Sequence, residues 1–110
     1  MSQLTTHVLD TALGRPAVGI AVELAALEDG AWTPVATAVT DGDGRARGLG
    51  PDRVPPGRYR LRFDTGAYFD ATGQRGFHPE VLVVFDVVDG SHCHVPLLLS
   101  PFAYSTYRGS

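Results

Sequence analysis

Short stretches in which apolar and polar residues strictly alternate constrain the fold of this chain more than any other feature. In residues 58–63, Tyr59, Leu61 and Phe63 alternate with three arginines, and residues 18–24 alternate in the same way. Successive side chains of a β-strand point to opposite faces, so the pattern predicts strands with one packed and one solvent-facing side. Thirteen glycines and eight prolines separate such stretches, as is typical of an all-β protein. We interpret the arginine face as a solvated outer surface rather than a ligand platform.

The remaining sequence contains weaker strand patterns with turn residues between them. These strands are predicted at residues 4–9, 32–39, 45–49, 80–88, 92–99 and 102–108, with one of the turns at residues 13–16. A short helix fits only residues 65–72. About eight strands in a chain of 110 residues predict one domain, residues 1–110, built as a sandwich of two sheets.

Composition and charge exclude several classes of protein. The formal net charge is −3 and no dense basic run is present, which argues against nucleic-acid binding. No apolar stretch approaches the length of a membrane span, and the first ten residues lack the pattern of a signal peptide. The single cysteine, Cys93, has no partner for an internal disulfide. We therefore expect a cytoplasmic protein without membrane or nucleic-acid partners.

Two predicted strands are apolar on both faces. Residues 81–85 read VLVVF, and residues 95–99 read VPLLL. A small sandwich covers only the inner face of each sheet, so the outer faces need another cover. A loop or the short helix is one explanation and a subunit interface is the other. We favour the interface and expect an oligomer.

The histidines are the main candidates for chemistry. His92 and His94 are two residues apart, so on a strand they point to one face, and with a third histidine they form a plausible zinc arrangement. The spacing fits equally well two histidines at a strand end without a ligand. His7 reads as a surface histidine and Arg45 as an ordinary arginine after a turn. Cys93 points the opposite way, towards the core.

Three longer stretches make the sequence recognisable. They are LTTHVLDTALGRPA (residues 4–17), TDGDGRARGL (residues 40–49) and HVPLLLSPFAYSTYRGS (residues 94–110). Together they resemble the transthyretin-like family, and within it the branch of 5-hydroxyisourate hydrolases. The resemblance runs essentially end to end, and the YRGS ending is its most specific part. Cys93 and His78 depart from the family pattern, since aromatic residues are expected at both positions.

The resemblance implies a prealbumin-like sandwich of two four-stranded sheets with one short helix, assembled as a homotetramer with active sites in the channel between dimers. It implies hydrolysis of a cyclic amide C–N bond of 5-hydroxyisourate, giving 2-oxo-4-hydroxy-4-carboxy-5-ureidoimidazoline in urate degradation. It implies neither a cofactor nor a catalytic metal, and a zinc ion on the histidines would be an inhibitor or a guest. By motif, the catalytic residues are His7, Arg45, His94 and Ser110. The substrate-binding residues are His7, Arg45, His92, Tyr107, Arg108, Gly109 and Ser110.

The chemistry of these residue types agrees with the resemblance. A guanidinium offers paired donors to a planar, oxygen-rich ring, and histidine exchanges protons near neutral pH. We therefore assign water activation and proton transfer to His7 and His94, without fixing which does which. Arg45 orients the substrate and stabilises the oxyanion, while the Ser110 hydroxyl or the terminal carboxylate assists a histidine. The alternative is a carrier of small molecules that uses the same channel without a reaction.

Overall fold

The computed structural model describes residues 2–109 of the chain, so Met1 and Ser110 lie outside the described residues. The strands are β1 (Leu4–Asp10), β2 (Arg15–Pro16), β3 (Ala21–Glu28), β4 (Ala31–Val39), β5 (Gly57–Phe63), β6 (Val81–Val87), β7 (Cys93–Leu99) and β8 (Tyr104–Thr106). One helix, α1 (Thr65–Ala71), joins β5 to the segment before β6. Between residues 2 and 109, no helix is long and apolar enough to cross a membrane.

The strands form two four-stranded sheets, which confirms the predicted all-β sandwich with one short helix. The first sheet has the order β2-β1-β7-β8 and the second the order β4-β3-β5-β6. All pairs are antiparallel except β1 with β7, which run parallel with Thr5 opposite His94. This parallel pair lies at the centre of the first sheet and determines the position of the histidines.

The core lies between the inner faces of the two sheets. Alternate residues of β1 and β7 point inwards, and Cys93 is buried there as predicted. The largest fully buried side chains include Leu4, Val8, Ile20, Leu24, Leu61, Phe63, Leu97 and Leu99. Burial of each large apolar side chain contributes about 1.5–3 kcal/mol, so the core holds both sheets in a fixed relation.

The helix α1 is attached to the end of β1 through a buried carboxylate. Tyr68 donates its phenolic hydrogen to Asp10 Oδ2 at 2.6 Å, and Gln74 donates to the same oxygen at 3.0 Å. The amides of Ala12 and Leu13 donate to Oδ1. Burial by itself raises the pKa of Asp10, but these hydrogen bonds together hold it below its ordinary value.

Three strand predictions are wrong in detail. Residues 45–49 form no strand; Arg45 and Ala46 make only isolated bridges, because the preceding residues close a tight turn. The structure instead has a short strand that was not predicted, β2, whose two residues lie inside the turn predicted at residues 13–16. The strand predicted at residues 18–24 begins at Ala21 and extends to Glu28, since Gly19 has a positive φ of 82° before it. The last strand is limited to three residues.

The outer face of the second sheet carries both charged and apolar side chains. Arg58 binds Asp86 and Arg62 binds Glu80, each at 2.8 Å between exposed side chains. The Arg60 guanidinium carbon lies 4.7 Å from the Trp32 ring centroid. These contacts agree with a solvated arginine face.

The outward apolar residues of β6 have no cover within the described part of one chain. Leu82 is 45% exposed and Val84 is 52% exposed. The explanation in which α1 or a loop covers the strand is therefore wrong for β6, and contact with another subunit stays a prediction.

Candidate active site

The parallel pairing of β1 with β7 gathers polar residues on the outer face of the first sheet. Thr5 and His7 point outwards from β1, while His94 points outwards from β7, directly opposite Thr5. His92 precedes β7 on the same side. Parallel strands begin at the same edge of a sheet, so four residues from opposite ends of the chain meet there.

The Thr5 hydroxyl connects two histidine rings. Its oxygen lies 2.9 Å from His92 Nε2 and 2.8 Å from His94 Nδ1. The two rings are nearly parallel, with centroids 6.2 Å apart and an interplanar angle of 17°. The second nitrogen of each ring is turned away from Thr5, and both histidines line the same cleft.

A tight turn places Arg45 beside His7. The Asp41 carboxylate accepts hydrogen bonds from the amides of Asp43 at 2.9 Å and Arg45 at 3.1 Å, and it binds Arg47 at 2.7 Å. These donors lower the pKa of Asp41, with the Arg45 amide as the largest cause. Arg45 then forms an isolated antiparallel bridge with His7.

Gly44 is the residue that lets this turn approach β1. Its φ is +78°, and a Cβ there would overlap the Val8 carbonyl oxygen. The Val8 amide donates to the Gly44 carbonyl at 2.8 Å. Only glycine combines this backbone conformation with so close an approach.

The environment of His7 determines which of its nitrogens carries hydrogen. His7 Nε2 lies 2.7 Å from the Asp43 carbonyl oxygen. A carbonyl oxygen only accepts, so the Nε2–H group must be the donor. In neutral His7 the lone pair is consequently on Nδ1.

His94 is held in its neutral form near pH 7. Burial is the largest cause that lowers its pKa, followed by the positive charge of Arg45, with smaller contributions from His92 and His7. The direction is that expected for a half-buried imidazole among cationic groups. A neutral imidazole is able both to accept and to donate a proton.

The C-terminal segment packs against His94. The Gly109 amide donates to the His94 carbonyl at 2.8 Å, and a Cβ at Gly109 would lie 2.5 Å from His94 Cδ2. Tyr107 is exposed, and with Arg108 it borders a second cavity of about 220 Å³ between β6 and β7. The charge of Arg108 acts on Asp89 and Cys93. Gly109 is therefore in contact with His94, as predicted for a site residue, whereas Arg108 lies towards the other cavity. Ser110, which was also predicted, is outside the described residues.

A cleft of about 430 Å³ contains most of the remaining predicted residues. It is lined by Ser2, Thr5, Thr6, Arg45, Ala46, Arg47, Gly48, His92 and His94. Two arginines and two histidines therefore face it, and no carboxylate is among these lining residues. His7 lies beside the cleft, on the same face of β1 as Thr5. Within residues 2–109, no three His, Cys, Asp or Glu residues are placed to hold a metal ion together.

Three residues of this site are absent from the sequence-based prediction. Thr5 bridges the histidines, Arg47 lines the cleft, and Asp41 closes the turn. The period-two spacing of a strand puts Thr5 and His7 on the same face of β1. Only the register between β1 and β7 brings Thr5 close to His94. The acidic residue at the start of DGDGR is a local turn signal that predicts the role of Asp41.

Comparison with known proteins agrees with this fold. The model of the HIUase/Transthyretin family matches residues 4–109. The 5-hydroxyisourate hydrolase of Mus musculus is 50% identical, over 99% of this chain and 96% of that protein. The Klebsiella pneumoniae 5-hydroxyisourate hydrolase structure is 37% identical with a TM-score of 0.86, covering 97% of this chain and 98% of that one. Sea bream transthyretin, solved in complex with thyroxine, is 39% identical with a TM-score of 0.92, covering 97% of this chain and 94% of that one. This chain belongs to the HIUase/Transthyretin family.

Proposed function

We propose that this protein is a hydrolase that opens the ring of 5-hydroxyisourate to give 2-oxo-4-hydroxy-4-carboxy-5-ureidoimidazoline. The observation that carries the proposal is that Arg45 and His94, from distant parts of the chain, line one cleft with His7 beside it. The curated relatives named 5-hydroxyisourate hydrolase, at 46–50% identity, support it. The substrate is small, planar and rich in oxygen and nitrogen, which suits a cleft lined by guanidinium and imidazole groups.

The proposed mechanism is general acid–base catalysis. A water molecule loses a proton to a histidine as it attacks the ring carbonyl, and the departing ring nitrogen later receives a proton. His94, with its lowered pKa, and His7, with its Nδ1 lone pair, are the two candidate groups for these transfers. General acid–base catalysis of this kind typically raises the rate of a reaction by about 10²–10⁴-fold. The ring amide is already activated by its neighbouring carbonyls, so this mechanism needs no metal or cofactor.

Arg45 is proposed to orient the substrate and to stabilise the oxyanion that forms on the attacked carbonyl. A preorganised donor of this kind contributes about 10²–10³-fold. Arg47 adds a second positive charge to the cleft, although its guanidinium is partly neutralised by Asp41. His92, Tyr107, Arg108, Gly109 and Ser110 are proposed to contribute to substrate binding, with Ser110 also assisting proton transfer.

The second candidate function is that of a small-molecule carrier. The sea bream transthyretin structure, which holds thyroxine, has nearly the same backbone as this chain at a TM-score of 0.92. Backbone similarity therefore supports either function. A carrier has no need of paired acid–base groups, so the histidine and arginine set favours the hydrolase.

We further propose that the chain forms one domain over residues 1–110 and assembles as a homotetramer with active sites between dimers. Uncovered apolar side chains on β6 support an assembly. A cytoplasmic location is proposed because the one cysteine is a buried free thiol, as is usual in reducing compartments.

The decisive experiment follows the ultraviolet absorbance of freshly generated 5-hydroxyisourate with and without the protein. We expect accelerated decay, and an unchanged rate would contradict the hydrolase function. Arg45→Ala should lower kcat/KM by about 10²–10³-fold while assembly is kept. Arg58→Ala, which removes an exposed arginine from the other sheet, is the matched control and should leave the rate unchanged. Wild-type activity in Arg45→Ala would contradict the role given to Arg45.

A further inference from the structure

The Thr5 hydroxyl has a single hydrogen but faces two imidazole nitrogens. Its oxygen is 2.9 Å from His92 Nε2 and 2.8 Å from His94 Nδ1. A hydroxyl donates one hydrogen bond and accepts up to two. When Thr5 donates to one histidine, it can only accept from the other, so the tautomers of the two rings are linked.

This link allows two hydrogen-bond orders. In the first, Thr5 accepts from His94 Nδ1–H and donates to His92 Nε2, which leaves His94 Nε2 as a free base. In the second, His92 Nε2–H donates to Thr5 and Thr5 donates to His94 Nδ1, which leaves His94 with an Nε2–H donor. The first order becomes the second when one proton moves along each hydrogen bond and His94 Nε2 takes up a proton from outside this group of residues.

The surroundings of the two rings are unequal. His94 is half-buried and lies within the influence of Arg45 and His7, whereas His92 is exposed to solvent. A positive charge is therefore less costly on His92 than on His94. Solvent therefore favours placing a positive charge on His92, and the Thr5 hydroxyl is the group between the two rings.

We propose that Thr5 is a positioning residue that relays a proton between His94 and His92 during the reaction. This inference rests on the proposed hydrolase function and deepens it. In the base step, His94 Nε2 takes a proton from the attacking water while the His94 Nδ1 proton moves to Thr5 Oγ1 and the Thr5 proton moves to His92 Nε2. His94 ends neutral, with hydrogen on Nε2, and His92 ends as the imidazolium ion.

The acid step reverses each transfer. His94 Nε2–H gives its proton to the departing ring nitrogen, Thr5 returns a proton to His94 Nδ1, and His92 Nε2–H returns one to Thr5. The protein regains its starting state and no proton is left over. The groups that face these three residues are Arg45 and Arg47, which are cationic and come from the turn segment, and His7 from β1. The charge of Arg45 opposes a positive charge on His94 and so favours the relay.

Nitrogen-15 NMR of the histidine rings tests the link without any turnover. In the wild-type protein at neutral pH, we expect one of the two Thr5-facing nitrogens to carry hydrogen and the other to carry a lone pair. Two protonated or two unprotonated Thr5-facing nitrogens would overturn the proposal. In Thr5→Val, which keeps the shape but lacks the hydroxyl, the two rings should adopt their tautomers independently.

Kinetics test whether the link is used. Thr5→Val should lower kcat by about 10²-fold with little change in KM, since the loss is in acid–base catalysis and not in binding. Thr5→Ser keeps the hydroxyl and should restore most of kcat. Thr33→Val, the same change at an exposed threonine of β4, is the matched control and should have wild-type kinetics. Wild-type kcat in Thr5→Val would overturn the proposal.

A double-mutant cycle tests the end point of the relay. His92→Ala should lower kcat by a similar factor, and Thr5→Val combined with His92→Ala should lower it no further, because both changes interrupt one path. Independent, multiplicative losses would overturn the relay. If the wild-type protein does not hydrolyse 5-hydroxyisourate, the proposed function fails; the NMR tautomers then still decide whether Thr5 links the rings.

Discussion

At the scale of single residues, the protonation of His94 is the property on which the chemistry depends most. Burial and the charge of Arg45 lower its pKa below the ordinary value of 6.5. We expect the His94 titration, followed by NMR, to have its midpoint below 6.5, and Arg45→Gln to raise that midpoint by removing the positive charge. Arg58→Gln, on the other sheet, is the control and should leave it unchanged. A His94 midpoint above 6.5 in the wild-type protein would contradict this explanation.

The same shift has a consequence for stability. A histidine whose folded pKa is depressed binds fewer protons in the folded state than in the unfolded state as the pH falls below 6.5. Its contribution therefore destabilises the folded protein progressively from pH 6.5 down to the folded pKa, and is constant above and below that window.

Gly109 controls the position of the His94 ring. A methyl group there would lie 2.5 Å from His94 Cδ2, so Gly109→Ala must displace either the ring or the C-terminal segment. We expect kcat/KM for 5-hydroxyisourate to fall by about 10²-fold, since a displacement of about 1 Å at a reacting group has this effect.

Gly57→Ala is the comparison for this variant. A Cβ at Gly57 meets only a Tyr59 ring carbon at 4.0 Å, so it should leave the rate unchanged. Circular dichroism spectra should match the wild type for both variants. Full activity in Gly109→Ala would show that the ring position does not depend on this contact.

At the scale of secondary-structure elements, the sequence predicted the strands whose inner faces are continuous and apolar. Tyr59, Leu61 and Phe63 alternate with arginines in the sequence and occupy the core in the structure. The local pattern is sufficient there because burial of one face determines the register of the strand.

Residues 41–45 show where local patterns were not sufficient. The Asp41 carboxylate and the positive φ of Gly44 close a turn that the Asp and Gly residues signal locally, but the contact of this turn with β1 is non-local. The meeting of Thr5 with His94 likewise depends on pairing across almost the whole chain. The residue pattern alone pairs His94 with His92 as a possible zinc arrangement and leaves His7 and Arg45 unremarkable. Resemblance to a family supplied all three as catalytic candidates.

The attachment of α1 to β1 gives a prediction about stability. Tyr68→Phe removes the hydroxyl that donates to the buried Asp10 carboxylate at 2.6 Å. A hydrogen bond to a charged group contributes about 1.5–3 kcal/mol, and we expect urea unfolding at pH 7 to show a loss of that order. Tyr104→Phe, whose side chain is exposed, is the matched control and should change the free energy of unfolding little.

The pH dependence of this loss distinguishes the Asp10 contact from simple packing. The folded pKa of Asp10 is depressed, so its contribution is fully present above the unfolded value of 3.8 and disappears as the pH falls through the folded pKa. The difference between wild type and Tyr68→Phe should therefore be constant above about pH 5 and should shrink below pH 4. A difference that does not change with pH would mean that the hydroxyl acts only through packing.

At the scale of the whole molecule, the two ends of the first sheet are chemically different. The histidines lie where β1 and β7 begin. Apolar side chains lie on the segments that follow the other ends of these strands: Leu13, Val18 and Phe102 are 44%, 53% and 71% exposed. Leu9 and Leu98 continue this apolar area onto the outer face of the sheet between them. A second pair of subunits packed on this area would cover it and enclose the clefts.

This arrangement predicts how the assembly is disrupted. Light scattering coupled to gel filtration should give the wild-type protein a mass of four chains of 11.7 kDa. Phe102→Asp places a charge in the apolar area and should shift the mass to that of a smaller species, because an unpaired charge is costly to bury. Leu27→Asp, near the end of β3 in the other sheet and 38% exposed, is the control and should leave the mass unchanged. Since the proposed assembly places the active sites between dimers, the smaller species should also lose kcat/KM. Full activity in a dissociated Phe102→Asp would mean that one chain contains the complete site.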